Sequence, residues 1–145
     1  MSSGSVPAPN EGVLRSISEP LVLFLVIAWS LLGAVGMPVV LLFLRAKAPG
    51  FASDWWATVP PVGQAVWVLH SGTCGLCAWL LIRRKQLAVW PAAALAAWHI
   101  GVITWQALHG TLSTARLPGA RWLGLAATLL VLVAIVWLRG RRVLR

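Results

Sequence analysis

Residues 62–108 decide the fold. They read VGQAVWVLHSGTCGLCAWLLI from Val62 to Ile82, then Arg83-Arg84-Lys85-Gln86, then LAVWPAAALAAWHIGVITWQAL from Leu87 to Leu108. Neither flanking stretch contains a Lys, Arg, Asp or Glu. Each has the length a helix needs to cross a hydrocarbon core, about 20 residues at 1.5 Å rise. The charged turn between them is short enough to make the two helices antiparallel neighbours. Pro60-Pro61 opens the first helix, and Pro91 lies in the first turn of the second, where a proline is tolerated.

Two further apolar stretches, Leu21–Leu44 and Trp122–Leu138, complete the pattern. Between Leu21 and Leu138 the only acid is Asp54, which falls in a connecting loop. The expected fold is therefore all-α: a four-helix transmembrane bundle with spans at about 21–44, 62–82, 87–108 and 122–138. A mobile segment, 1–20, precedes it, and a basic tail, 139–145, follows. Ser18-Glu19-Pro20 has the form of a helix start, with a capping hydroxyl, an acid at the positive helix end and a proline where no donor is needed. Gly33, Gly36 and Pro38 interrupt the second half of the first span, and Pro38 predicts a kink near residue 34.

Composition agrees. Hydrophobic residues make up 59% of the chain and charged residues 10%, against about 25% charged in a soluble domain. One domain accounts for all 145 residues. The net charge of +9 does not imply nucleic acid, because the basic residues border apolar spans instead of covering a folded surface. The polar N-terminal stretch and the long first span do not read as a cleaved signal peptide. The Ala, Gly, Arg and Trp content suggests a GC-rich bacterial genome, hence the inner membrane.

Orientation follows from Lys and Arg in the short loops. Arg15, Arg83, Arg84, Lys85, Arg139, Arg141, Arg142 and Arg145 fall on one side, and Arg45, Lys47, Arg116 and Arg121 on the other. The excess places both termini in the cytoplasm. The chain has ten Trp and no Tyr. Trp79, Trp90 and Trp137 are expected as anchors at the inner interface, and Trp55, Trp56 and Trp122 at the outer one.

Polar residues inside lipid spans are costly, so each needs an account. His70, Cys74 and Cys77 follow one face of the second span. His99 and Gln106 share a face of the third. His70 and His99 each lie twelve residues from the basic turn's end of their span, roughly 18 Å along the helix, so they can face each other near mid-membrane. Two imidazoles at one depth are the axial pair of a haem b site, with Gly63, Gly72, Gly75 and Gly101 leaving room for the macrocycle. The plainer account is that they hydrogen-bond across the helices and hold the bundle together. No other cofactor is expected. Cys74 and Cys77, joined by Gly75-Leu76, have the spacing of a redox pair or of half a metal site. With His70 and His99 they are a soft-metal donor set, although ligands on consecutive turns of one helix strain a tetrahedral geometry. Gly33, Gly36, Ser71, Gly72, Gly75 and Ala78 have the spacing of close helix packing, as in Ser71-x-x-x-Gly75 and Cys74-x-x-x-Ala78.

The C-x-x-C in a second span resembles the quinone-coupled disulfide-forming proteins of the bacterial inner membrane, which also have four spans and cytoplasmic termini. That family carries the pair at the outer end and a second cysteine pair in an outer loop. Here the pair lies toward the inner half, and residues 109–121 hold no cysteine. A broader likeness covers about residues 25–100: Ala28-Trp29-Ser30-Leu31-Leu32-Gly33, a Trp- and Pro-containing outer loop, then Gly72-Thr73-Cys74-Gly75 ahead of Arg83-Arg84-Lys85 and Ala88. It resembles small uncharacterised four-span inner-membrane proteins of bacteria, which implies the topology and no activity. The expected function is that of a non-enzymatic accessory, assembly or small-molecule-binding subunit. Its partners would be the bilayer, a larger membrane complex or a second copy of itself. A haem-binding redox protein and a small transporter or channel are the alternatives. Acid-dependent ion coupling and hydrolysis are disfavoured, because no carboxylate lies in the spans to hold a cation or orient a base.

Overall fold

The computed structural model describes residues 9–47, 60–109 and 118–145. Four long helices make it up: α1 (Pro9–Lys47), α2 (Pro61–Ile82), α3 (Val89–Leu108) and α4 (Pro118–Gly140). A 3₁₀ turn at Gln86–Ala88 leads into α3, and no strand occurs among the described residues. All four helices are long and apolar enough to cross a membrane, over Ile17–Gly36, Pro61–Ile82, Gln86–Leu108 and Trp122–Gly140. Most of their apolar side chains face outward, Phe24, Leu42, Leu69 and Val133 among them. That is the surface a bundle presents when lipid is its solvent.

Two boundaries differ from expectation. The first helix begins at Pro9, not at Ser18, so residues 9–20 are helical. The sequence carries an equivalent start signal upstream, with Pro9 at the first helical position and Glu11 in the first turn. Pro20 then stands inside the helix, where a proline removes one backbone bond and crowds the preceding turn. The helix also continues through Gly33, Gly36 and Pro38 to Lys47. Trp55 and Trp56 lie outside the described residues, as do residues 1–8.

The buried core gathers where α2, α3 and α4 approach the basic turn. Cys77, Leu80 and Leu81 of α2 pack with Ala88, with Ala92 of α3, with Ile135 and Leu138 of α4, and with Val26 of α1. The last member is Leu144, 1% exposed. The tail is therefore not a free basic strand: it turns back and plugs the core.

Both helix ends beside this core close in the same way. At α2, Arg84 N–H bonds to the Leu81 carbonyl at 2.9 Å and Lys85 N–H to Leu80 at 2.8 Å. At α4, Arg142 N–H bonds to Arg139 at 3.0 Å and Val143 N–H to Leu138 at 3.1 Å. These are Schellman closures, which use a left-handed residue just past the helix. Arg84 (φ 52°) and Arg142 (φ 59°) hold those positions, where glycine is usual.

α1 meets α2 at a close approach. A Cβ placed on Gly33 would lie 2.8 Å from Cys74 Sγ and 3.3 Å from Cys74 Cβ, and one on Gly75 would lie 3.7 Å from Ala34 Cβ. Gly33→Leu is therefore expected to destabilise the bundle by about 1–3 kcal/mol through overpacking. Cys74→Gly should recover part of that loss. Thermal unfolding in detergent of the two single variants and the double variant checks this; additive effects would mean that the two residues are not in contact.

Candidate functional site

α2 and α3 are joined by two sets of polar contacts. Near the turn, the buried Cys77 thiol donates to the Ala88 carbonyl at 3.8 Å. Farther from the turn, the His70 and His99 rings meet edge to face, with centroids 5.7 Å apart and planes at 89°. The equal distance of both histidines from the turn is what brings them together. Edge-to-face contact at this separation is a favoured arrangement of two rings.

Each ring is also fixed from its own side. His70 Nδ1 lies 4.0 Å from Cys74 Sγ, one turn along the same helix. His99 packs on α4 at Gly124, where a Cβ would meet its Cε1 at 3.5 Å and its Nδ1 at 3.9 Å. A Cβ at position 124 would make ordinary van der Waals contact with this ring edge. Cys74 in turn presses on Gly33 of α1. His70, Cys74 and His99 thus tie all four helices at one level.

His70 also lines a cleft of about 200 Å³ with Val66, Leu69, Thr73, Ala94, Leu95 and Trp98. Small-molecule sites run about 300–1,000 Å³, so this one has room for a few heavy atoms. Thr73 does not offer its hydroxyl proton to the cleft, because it donates to the Leu69 carbonyl at 2.7 Å.

The remaining sequence-derived site residues divide. Cys77 and Ala78 are buried in the core. Cys74 and Cys77 are free thiols, and no group of three or more His, Cys, Asp or Glu placed to hold a metal occurs among the described residues. Gly75 faces α1, whereas among the described residues Gly36 meets only Leu32 of its own helix and Gly72 meets none. Ser71 is half-buried on α2. Trp79 and Trp137 each carry an arginine over the ring, Arg83 at 5.9 Å and Arg141 at 5.4 Å. Trp90 and Trp122 are exposed.

Sequence reasoning missed three residues. Ser30 and Thr128 are buried and donate back to the carbonyls of Val26 (2.9 Å) and Gly124 (2.8 Å). Gly124 supports His99. The helical spacing of Gly124 and Thr128, four apart on one face of the span, was the available signal. No family model, curated protein or solved structure matches the chain.

The contact between the two imidazoles predicts coupled substitutions. His70→Ala and His99→Ala are each expected to destabilise the bundle, and the double variant to lose less than the sum. The expected coupling is about 0.6 kcal/mol, the mean found for side-chain hydrogen bonds between membrane helices. A double-mutant cycle on unfolding in detergent measures it, and zero coupling would mean that the rings do not support one another.

Proposed function

We propose that the chain is a multi-pass protein of the bacterial inner membrane that acts as a non-enzymatic accessory or assembly subunit. The observation that carries this is how its membrane-depth polar groups are used. Ser30, Thr73 and Thr128 each bond to their own helix, and His70, Cys74 and His99 contact one another. Polar groups committed in this way serve to hold helices in place. The outer surface is apolar over all four spans and suited to lipid or to the helices of a larger complex.

An antiparallel arrangement with both termini cytoplasmic is part of this reading. Moving along α2 away from the turn, from Cys77 to His70, the contacts on the following segment also move away, from Ala88 just before α3 to His99 within it. The tail meets the basic turn, which supports placing those cations on one side of the membrane. The likeness to small four-span inner-membrane proteins belongs to the same reading.

Solubilised gently at native expression, the chain should run on a native gel in a species several times its own 15.6 kDa, with the same partner in repeat isolations. A monodisperse monomer that brings nothing with it would remove the accessory role.

The histidine pair favours one second reading, a haem b site that His70 and His99 would hold and in which the iron would supply one-electron chemistry. On this reading the protein isolated from haem-replete cells shows a Soret band that His70→Ala and His99→Ala each abolish. A colourless protein, or a band that both substitutions leave in place, would count against it.

A further inference from the structure

The basic end of the molecule is built more tightly than a topological signal requires. A charge bias that orients the chain works from flexible loops. Here the turn and the tail are joined by backbone bonds, Gln86 N–H to the Arg145 carbonyl at 3.1 Å and Arg145 N–H to the Arg84 carbonyl at 2.6 Å. The Gln86 side chain adds a bond to the Leu144 carbonyl at 3.4 Å, and the buried Leu144 anchors the join. The result brings Arg83, Arg84, Lys85, Arg139, Arg141, Arg142 and Arg145, all exposed, onto one surface. Arg83 and Arg141 are further steadied on Trp79 and Trp137. Against these seven cations stands Glu19, one turn before Val22 on α1. Among the described residues no carboxylate forms an ion pair with them.

An apolar groove starts beside this surface. It runs between α1 and α4 and is lined by Val22, Leu25, Trp29, Ala127, Leu130 and Ala134, with a volume of about 400 Å³. Val22 and Ala134 pack against the same core that holds Leu138 and Leu144, which sets this end of the groove beside the tail. Ala127, Ala134 and Arg141 are spaced by seven, nearly two full turns, so they follow one face of α4. From Arg141 to Ala127 is roughly 21 Å of helix, a little more than one leaflet of a hydrocarbon core about 30 Å thick.

We propose that this end of the protein is a binding site for an anionic phospholipid, with the phosphate held by Arg141, Arg142 and Arg145 and one acyl chain in the α1–α4 groove. The pairing of cations with an adjoining apolar groove selects an amphiphile over a soluble anion. Guanidinium groups pair with phosphate oxygens through two parallel bonds. The two left-handed closures aim neighbouring arginines outward from fixed backbone positions. The inference rests on the chain being a membrane protein.

The test uses the full chain in mild detergent, offered equal amounts of phosphatidylglycerol and phosphatidylcholine with identical acyl chains. Native mass spectrometry reads the ratio of retained lipids. Phosphatidylglycerol should be retained over phosphatidylcholine, and excess inorganic phosphate should not displace it. The R141Q/R145Q double variant should lower the ratio by about fivefold per cation removed, while R141K/R145K, which keeps the charge and loses the paired bonds, should lower it less. Ala134→Phe, which fills the groove without changing charge, should lower retention of both lipids. Equal retention by the wild-type chain, an unchanged ratio in R141Q/R145Q, or displacement by inorganic phosphate would each overturn the site. Should the glutamine variant fail to fold, the wild-type ratio, the phosphate arm and Ala134→Phe still decide. A chain that does not incorporate into vesicles at all would refute the membrane reading instead.

Discussion

Everything in this structure depends on how the ends of α2 and α4 satisfy their backbone. A helix leaves its last carbonyls without internal partners, and in an apolar medium each unpaired group costs several kcal/mol. Both helices answer with the same closure, and both place an arginine in the left-handed position. A left-handed conformation costs a non-glycine residue about 1–2 kcal/mol. The compensation lies in where the chain goes next. After Arg84 it enters the turn to α3, and after Arg142 it delivers Leu144 into the core and Arg145 onto the turn. The two closures are therefore one construction, and the densest part of the core is built on it.

Away from this end the helices are held by a different means. The apolar core thins out beyond Cys77 and Ala92, and the contacts that follow are small or polar. Gly33 lets Cys74 approach α1, Gly124 lets His99 approach α4, and the two imidazoles bridge α2 and α3. Lipid tails are as apolar as leucine side chains, so apolar burial alone gives little preference for one helix pairing over another. Polar contacts and close backbone approach supply that preference. The histidine level can then be understood as the device that fixes helix register where the core no longer does.

The chain's pattern made the four helices, the basic turn and the His70–His99 meeting legible, because each follows from period, length or equal distance from a fixed point. The start of α1 was not legible as it stands, since two proline-led start signals lie eleven residues apart and nothing local ranks Pro9 over Pro20. The docked tail was hidden for another reason. Arg139 to Arg145 reads as a solvated basic run, and only the apolar pair Val143-Leu144 within it hints at burial. Gly124 and Thr128 escaped notice because their role depends on which helix lies opposite, which pattern alone does not specify. Gly36 and Gly72 show the converse. Their spacing matched helix packing, yet among the described residues neither meets a neighbouring helix, because small-residue motifs mark a permitted approach and not a realised one.

The division between a tight end and a polar middle bears on what the protein can do. The tight end fixes the turn, the tail and the cations, so a partner or lipid meeting that surface finds it already formed and loses little entropy in ordering it. The histidine level is bordered by a cleft of about 200 Å³ on the α2–α3 side, and its rings are positioned by single contacts from α1 and α4. Such contacts can shift without disturbing the core beside the turn. The bundle is thus held by dense apolar packing at one end and by small and polar contacts along the rest of α2 and α3.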